Sequence, residues 1–440
     1  MSNNELRNKI EAVKKALKAI HQGVGIEDLK RNYGEILGQV SPIEIPLIEQ
    51  ELVKEGISVD EILKLCDLHV ALFRDYLQPR ELNEVPVGHP LYLFMRENEY
   101  ILKQSEVLSL YASSLLKARE SNEVAKYLSN IESVLQELRK IRLHYRKLQM
   151  AVFPYLEKRG IVAVPRVLWA REDQVILKIR ELSNLLGKVC EDLSNELLTR
   201  ELANKAVELA REVSEVVFRE NKILYPALWA LLTEGEWAAI YEIASDLGWL
   251  VSTEGKWVAK DKPVMPYELI PIMTNEQLEK LPKEFKDVIS RGIQLDTYQI
   301  RGGGDLDVGT GFLSVEEFKA LFRSLPVEVT YANLDDRVKF YSVSFLHKGF
   351  ARTKTIVGRR LEYCHPPRLE AMVKNIAKEV KESRAPYREF WTRMGDRIIR
   401  VLIVPVKDDK GNVLGVAEVV EDLTNVVNNP EEIKRKVMVL

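Results

Sequence analysis

HYRKLQMAVFPYLE (residues 144–157) and VVFRENKILYPALW (residues 216–229) are the two stretches on which the fold turns. They form a weak internal repeat. Each carries an aromatic–proline pair, Phe153-Pro154 and Tyr225-Pro226, with the proline ten residues after the first position. Residues i and i+4 share one helix face, so two such helices set side by side can aim four side chains at one point between them. Apolar periodicity around the repeats predicts helices near 90–118, 122–153, 166–188 and 194–225, and a shorter one at 234–247. Four long amphipathic helices with short connections read as an antiparallel four-helix bundle over residues 85–248.

Upstream, residues 1–80 read as a helical domain. Leu6, Ile10, Val13, Leu17 and Ile20 recur at helical spacing before the breakers Gly23 and Gly25. Ser41-Pro42 opens a helix that ends at Gly56, and Ser58 opens the next. That last helix places Cys66 and His69 on one face. A zinc site takes four ligands, so this pair reads as a buried face with a partnered histidine.

Downstream, residues 249–312 lose periodicity and read as a linker, with GGGD at 302–305 as a flexible joint. Residues 313–428 then alternate differently. A helix, SVEEFKALFRSL, precedes the β-rich runs VEVTYANL and RVKFYSVSF, joined at Asp335-Asp336. After a helical stretch come YREFWTRM, RIIRVLIVPVK and VLGVAEVVEDL, with DDKGN (408–412) as a turn. This is a small α+β domain with an antiparallel sheet. The whole is a multidomain α and α+β chain.

Composition narrows the function. At 440 residues the chain suits two to four domains. Lys and Arg total 64 against 66 Asp and Glu, a balance that argues against nucleic acid or an anionic membrane as partner. The three cysteines, Cys66, Cys190 and Cys364, are far apart, so a disulfide framework and a zinc ribbon are excluded. Six histidines (His21, His69, His89, His144, His347 and His365) limit any metal site to very few imidazoles. The polar start resembles no signal peptide, and no apolar run is long enough to span a bilayer, so a cytoplasmic location is expected. A phosphate loop, a GxSxG elbow and HExxH are all missing, and the expectation is a protein that is not an enzyme. The basic stretch RKIRLHYRK (139–147) reads as a solvated helix face.

The repeat, with GHPLYLFMRENE (88–99) and VLWAREDQV (167–175), resembles the hemerythrin-like (HHE cation-binding) fold. In that family each of two helices carries His, then Glu four residues later, before a Leu-Phe-Pro-type ending. Here the first copy keeps His144 but has Leu148 and Gln149 at the carboxylate positions, and the second has Val216 for the imidazole but keeps Glu220. The resemblance implies His89, His144 and Glu220 as metal ligands, with Glu97, Glu99 and Glu172 as further carboxylates. A complete diiron centre of this kind takes about five imidazoles and two carboxylates, more than the bundle offers. An iron centre, a single-cation site and a metal-free polar network all remain open readings.

The N-terminal stretch, with SPIEIPLIEQELVKEG and LCDLHVALF, is similar to a domain of unknown function that precedes such bundles in proteins ending in a PAS domain. The C-terminal run VGRRLEYCHPP and VPVKDDKGNVLGVAEVVEDLT resembles that PAS domain. Some PAS domains hold a heme-ligating histidine near this segment, which singles out His365, with Cys364 beside it as a soft, redox-responsive ligand. The plainer alternative is that His365 caps the helix opened by Pro366-Pro367. Phe390, Trp391, Tyr341 and Phe345 either line a pocket or form core.

These readings converge on a cytoplasmic sensor or signalling protein. A PAS pocket binding heme or another small ligand, or a degenerate bundle site, would shift contacts with a second copy of the chain or a separate signalling partner. The alternative is a non-heme iron protein handling O2 or NO through the bundle.

Overall fold

The computed structural model describes residues 84–253, 255–269, 294–344 and 350–438, with isolated positions before them. The helical domain read at residues 1–80, including Cys66 and His69, lies outside the described residues apart from those positions. The described residues fall into two compact units, one ending at Tyr298 and the other beginning at Gln299.

The first unit is the bundle. Helix α1 spans Pro90–Leu115, with His89 as its N-cap and a proline in its first turn. The second arm is α2 (Ser121–Leu138), α3 (Ile141–Lys147), a π-helical turn over Leu148–Val152 and α4 (Phe153–Lys158). Helix α5 (Ala163–Glu191) returns, and α6 (Glu196–Arg219), capped by Asn195, runs through a second π turn (Glu220–Leu224) into α7 (Tyr225–Leu231). Helix α1 packs on α2 and α6, and α5 packs on the same two, which closes the ring of four.

The π turns fall at the same place in both repeat copies. Each ends where a proline sits two residues on, at Pro154 and Pro226. A proline has no N–H, and its ring would strike the carbonyl four residues back; a one-residue-wider turn moves that carbonyl aside. The aromatic–proline pair read from the sequence thus dictates a local departure from α geometry.

Helix α8 (Glu234–Leu247) closes one end of the bundle, its start fixed by a Thr233–Glu236 capping box. Both carboxylate oxygens of Glu236 also accept from Nη2 of buried Arg159, at 2.7 and 2.8 Å. Part of the stretch read as a linker belongs to this core: Trp249, Trp257, Met265 and Leu269 pack against it, and the Tyr155 hydroxyl donates to the Val264 carbonyl at 2.8 Å. Large apolar side chains outweigh the missing periodicity there. Gly88, at φ +83°, lies so close to the 255–257 backbone that a Cβ would sit 3.0 Å from the Gly255 carbonyl oxygen.

The second unit begins with a short hairpin, β1 (Leu306–Asp307) and β2 (Phe312–Leu313), then α9 (Val315–Ser324) behind a Ser314–Glu317 capping box. Strands β3 (Glu328–Asn333), β4 (Val338–Tyr341), β5 (Arg388–Met394), β6 (Arg397–Lys407) and β7 (Val413–Asp422) form an antiparallel sheet in the order β4-β3-β7-β6-β5. The Asp335-Asp336 turn forms as expected, with Asp336 at φ +57°. Helix α10 (Pro367–Lys381) packs on β6 and β7, burying Ala377 and Val380 against Ala332 and Val416. Pro405 lies where β6 has outrun β5 and is paired only with β7. Two short helices, α11 (Thr424–Asn428) and α12 (Pro430–Lys436), follow. No helix among the described residues is long and apolar enough to cross a membrane.

Candidate functional site

Two places in the chain gather buried polar chemistry, one in each unit. In the bundle, α3 carries His144 and Lys147 one turn apart, and both are fully buried. His144 Nδ1 lies 2.6 Å from Glu97 Oε2, and Nε2 lies 3.0 Å from Glu220 Oε2. Carboxylate oxygens on both sides make both ring nitrogens donors, so the ring is an imidazolium. Burial alone would lower its pKa, but the charges and hydrogen bonds of Glu220 and Glu97 raise it to about 9.

Lys147 Nζ donates to Glu97 Oε1 at 2.6 Å and to the Gly248 carbonyl at 2.7 Å, and lies over the Trp249 ring. Burial pulls its pKa below the usual value, against the Glu97 charge. Glu97 Oε1 also accepts the Leu250 N–H at 2.7 Å. Burial works against the Glu97 carboxylate, but His144, Lys147 and Leu250 together hold its pKa below the ordinary value.

Two cations thus balance two carboxylates, and the fifth group follows. Glu172, fully buried, accepts from Gln149 Nε2 at 2.6 Å. Burial first and neighbouring Glu220 second push its carboxyl well above the usual range. Burial thus disfavours charge on Glu172, while His144 and Lys147 answer the carboxylates of Glu97 and Glu220. Glu172 Oε1, Glu220 Oε1 and the Tyr145 hydroxyl are buried without a hydrogen-bond partner among the described residues.

The donor set does not fit a dinuclear iron centre. A ligating histidine needs a free lone pair, and both nitrogens of His144 are committed. His89 stands apart at the N-cap of α1, where Nδ1 accepts the Leu91 N–H at 3.1 Å. Its ring is enclosed by Trp229, Trp237 and Trp257, with centroids 5.3, 4.9 and 4.7 Å away, and burial lowers its pKa to about 3. Glu99 is on the surface, paired with Arg96. Of the sequence-predicted ligands, the structure gathers His144, Glu97, Glu220 and Glu172 in one layer and leaves His89 and Glu99 outside it. Among the described residues, no three His, Cys, Asp or Glu side chains converge as a metal site. Lys147 is the residue the sequence reading missed. It belongs to the stretch read as a solvated face, and Arg139, Lys140, Arg142 and Arg146 are exposed as expected, but Lys147 lies three residues after His144 on the inward side.

The second place is a cavity of about 760 Å³ between the sheet and α10. Leu369, Val373, Ile376, Val401 and Ile403 supply much of its apolar wall, and Cys364 and His365 line it as well. His365 Nδ1 donates to the Leu361 carbonyl at 3.0 Å, which leaves Nε2 with its lone pair. His365 does not cap the following helix: Pro366 holds the N-cap position, with no side-chain bond to the helix. The ring closes the preceding turn instead. Cys364 Sγ lies 3.5 Å from the Arg360 carbonyl, and burial raises its thiol pKa, so it is a thiol rather than a reactive thiolate. Of the aromatic candidates, Phe390 lines the cavity and Trp391 is exposed. Tyr341 is outside the lining, and Phe345 falls outside the described residues.

Sequence reading missed Arg352 altogether. Its side chain is buried; Nε donates to Thr330 Oγ1 at 2.7 Å, Nη2 to Glu418 at 2.6 Å and Nη1 to Glu328. A signal was present. Glu328, Thr330 and Ala332 alternate on the buried face of β3, and Thr330 pairs across the ladder with Glu418. A carboxylate in phase with inward residues requires a partner.

Three segments match known families. Residues 13–79 match a family of unknown function (DUF438), residues 89–228 the hemerythrin HHE cation binding domain, and residues 318–424 a PAS domain. The order and placement are those the resemblance implied. No curated protein matches the chain significantly. A crystal structure of a C-terminal domain from Streptococcus mutans is 30% identical over 28% of this chain and 96% of that one, with a TM-score of 0.27.

Proposed function

We propose that this chain, carrying a hemerythrin HHE domain and a PAS domain, is a sensor that works by binding rather than catalysis. The ligand enters the cavity of the PAS domain and changes contacts with a second copy or a signalling partner. The cavity is the observation that supports this reading: at about 760 Å³ it falls in the range of small-molecule sites, with an apolar wall and few polar groups. A ligand shifts such a protein only through unequal affinity for two packings of the domain.

Heme is one ligand the donor set fits. A histidine that ligates a metal usually donates its other N–H to a carbonyl or carboxylate, and His365 Nδ1 donates to Leu361. His365 Nε2 would hold the iron, which would supply sensitivity to diatomic gases or redox state. Titration of the full chain with hemin tests this version: a Soret band lost in His365→Ala supports it, and no difference between the two proteins rejects it. The non-heme iron alternative draws no support from the bundle, where His144 has both nitrogens committed to carboxylates and His89 stands apart among tryptophans.

A further inference from the structure

The cavity wall holds two arginines with different partners. Arg352 is committed to Thr330, Glu328 and Glu418. Arg359 lines the same cavity, and its guanidinium makes no hydrogen bond or ion pair among the described residues. Its backbone is fixed at the end of the sheet: the N–H donates to Ile356 O at 2.9 Å, and the carbonyl accepts from Val338 N–H at 3.0 Å. The neighbouring Arg360 pairs with Glu362, so the local carboxylate is already taken. Glu418, the acid in the lining, belongs to Arg352. The exposed Arg359 side chain thus stands at the edge of a largely aliphatic chamber without a hydrogen-bonded or ion-paired carboxylate among the described residues.

We infer that the cavity takes an apolar organic molecule bearing a carboxylate, with Arg359 as the partner of that carboxylate. This rests on the cavity being the ligand site. Burial of the apolar body supplies the driving force. The carboxylate could not enter the aliphatic chamber unpaired, and a guanidinium meets it with two parallel hydrogen bonds. Arg359 therefore sets both the orientation of the ligand and its head-group chemistry.

Calorimetric titration of the full chain with decanoate and with decanol, which share a tail and differ in the head group, tests the inference. Decanoate is expected to bind about ten times more tightly than decanol. Arg359→Gln should remove that advantage and leave decanol unaffected, with no change in melting temperature because the side chain is exposed. Equal binding of the two probes, unchanged decanoate affinity in Arg359→Gln, or no decanoate binding at millimolar concentration would each overturn it. The cavity reading fails by a different result: both probes binding an Ile376→Trp variant, whose cavity is filled, as tightly as the parent.

Discussion

At the residue scale, the bundle core shows how one side chain can change the chemistry of a fold. Lys147 brings a positive charge to Glu97, and its ammonium with the His144 imidazolium leaves no nitrogen lone pair for a metal in that layer. Lys147→Met should strand Glu97 in the core and lower unfolding free energy by about 3 kcal/mol, read by urea titration of the full chain. An effect under about 0.5 kcal/mol would show the ammonium to be dispensable. The two bundle histidines predict opposite pH limbs. His144 has a folded pKa raised to about 9, so its contribution is complete below its unfolded pKa near 6.5 and is lost as pH rises through 9. His89 has a folded pKa lowered to about 3, so its contribution is complete above 6.5 and is lost as pH falls toward 3. His144→Gln should flatten the alkaline limb of the stability profile. His89→Asn, which keeps a capping acceptor, should flatten the acid limb, and parallel profiles for parent and variants would refute both assignments.

At the scale of elements, helices and strands were legible because burial imposes a period on each. The β-rich runs at 327–334, 337–345, 387–394, 397–407 and 413–423 hold β3, β4, β5, β6 and β7, and the Asp335-Asp336 turn sits between β3 and β4. The repeat carried the bundle, but not the π turns, which depend on where Pro154 and Pro226 meet the preceding carbonyls. The packed part of 249–312 was illegible because Trp249 and Trp257 bury themselves singly, without periodicity. The candidate site was half legible: family spacing pointed to His144, Glu97, Glu172 and Glu220, whereas Lys147 and Arg352 are fixed by partners far away in sequence. Close packing between strands leaves no room for a side chain at Gly415. A Cβ there would meet the Ala332 carbonyl oxygen at 2.1 Å, so Gly415→Ala should force β3 and β7 apart. The expected loss is about 2–4 kcal/mol, confined to the cooperative unit that contains the sheet. A melt indistinguishable from the parent would show that the ladder yields there.

At the scale of the molecule, the two units divide the chemistry. In the hemerythrin HHE domain both nitrogens of His144 are committed to carboxylates, so exhaustive chelation should leave the melting temperature unchanged. A ligand that binds only the native state would have raised it. A fall of several degrees on chelation, reversed by iron, would place a metal in the bundle. The PAS domain retains an open chamber with an uncommitted imidazole nitrogen, and its role as the ligand site is the claim on which the rest depends. Native mass spectrometry of the full chain, purified without added ligand and compared with the Ile376→Trp variant, tests it most directly. The account predicts that a small molecule supplied during expression or incubation adds a discrete mass to the parent and none to the variant. Equal adduct on both proteins would contradict it, as would a parent that stays bare against decanoate, decanol and hemin alike.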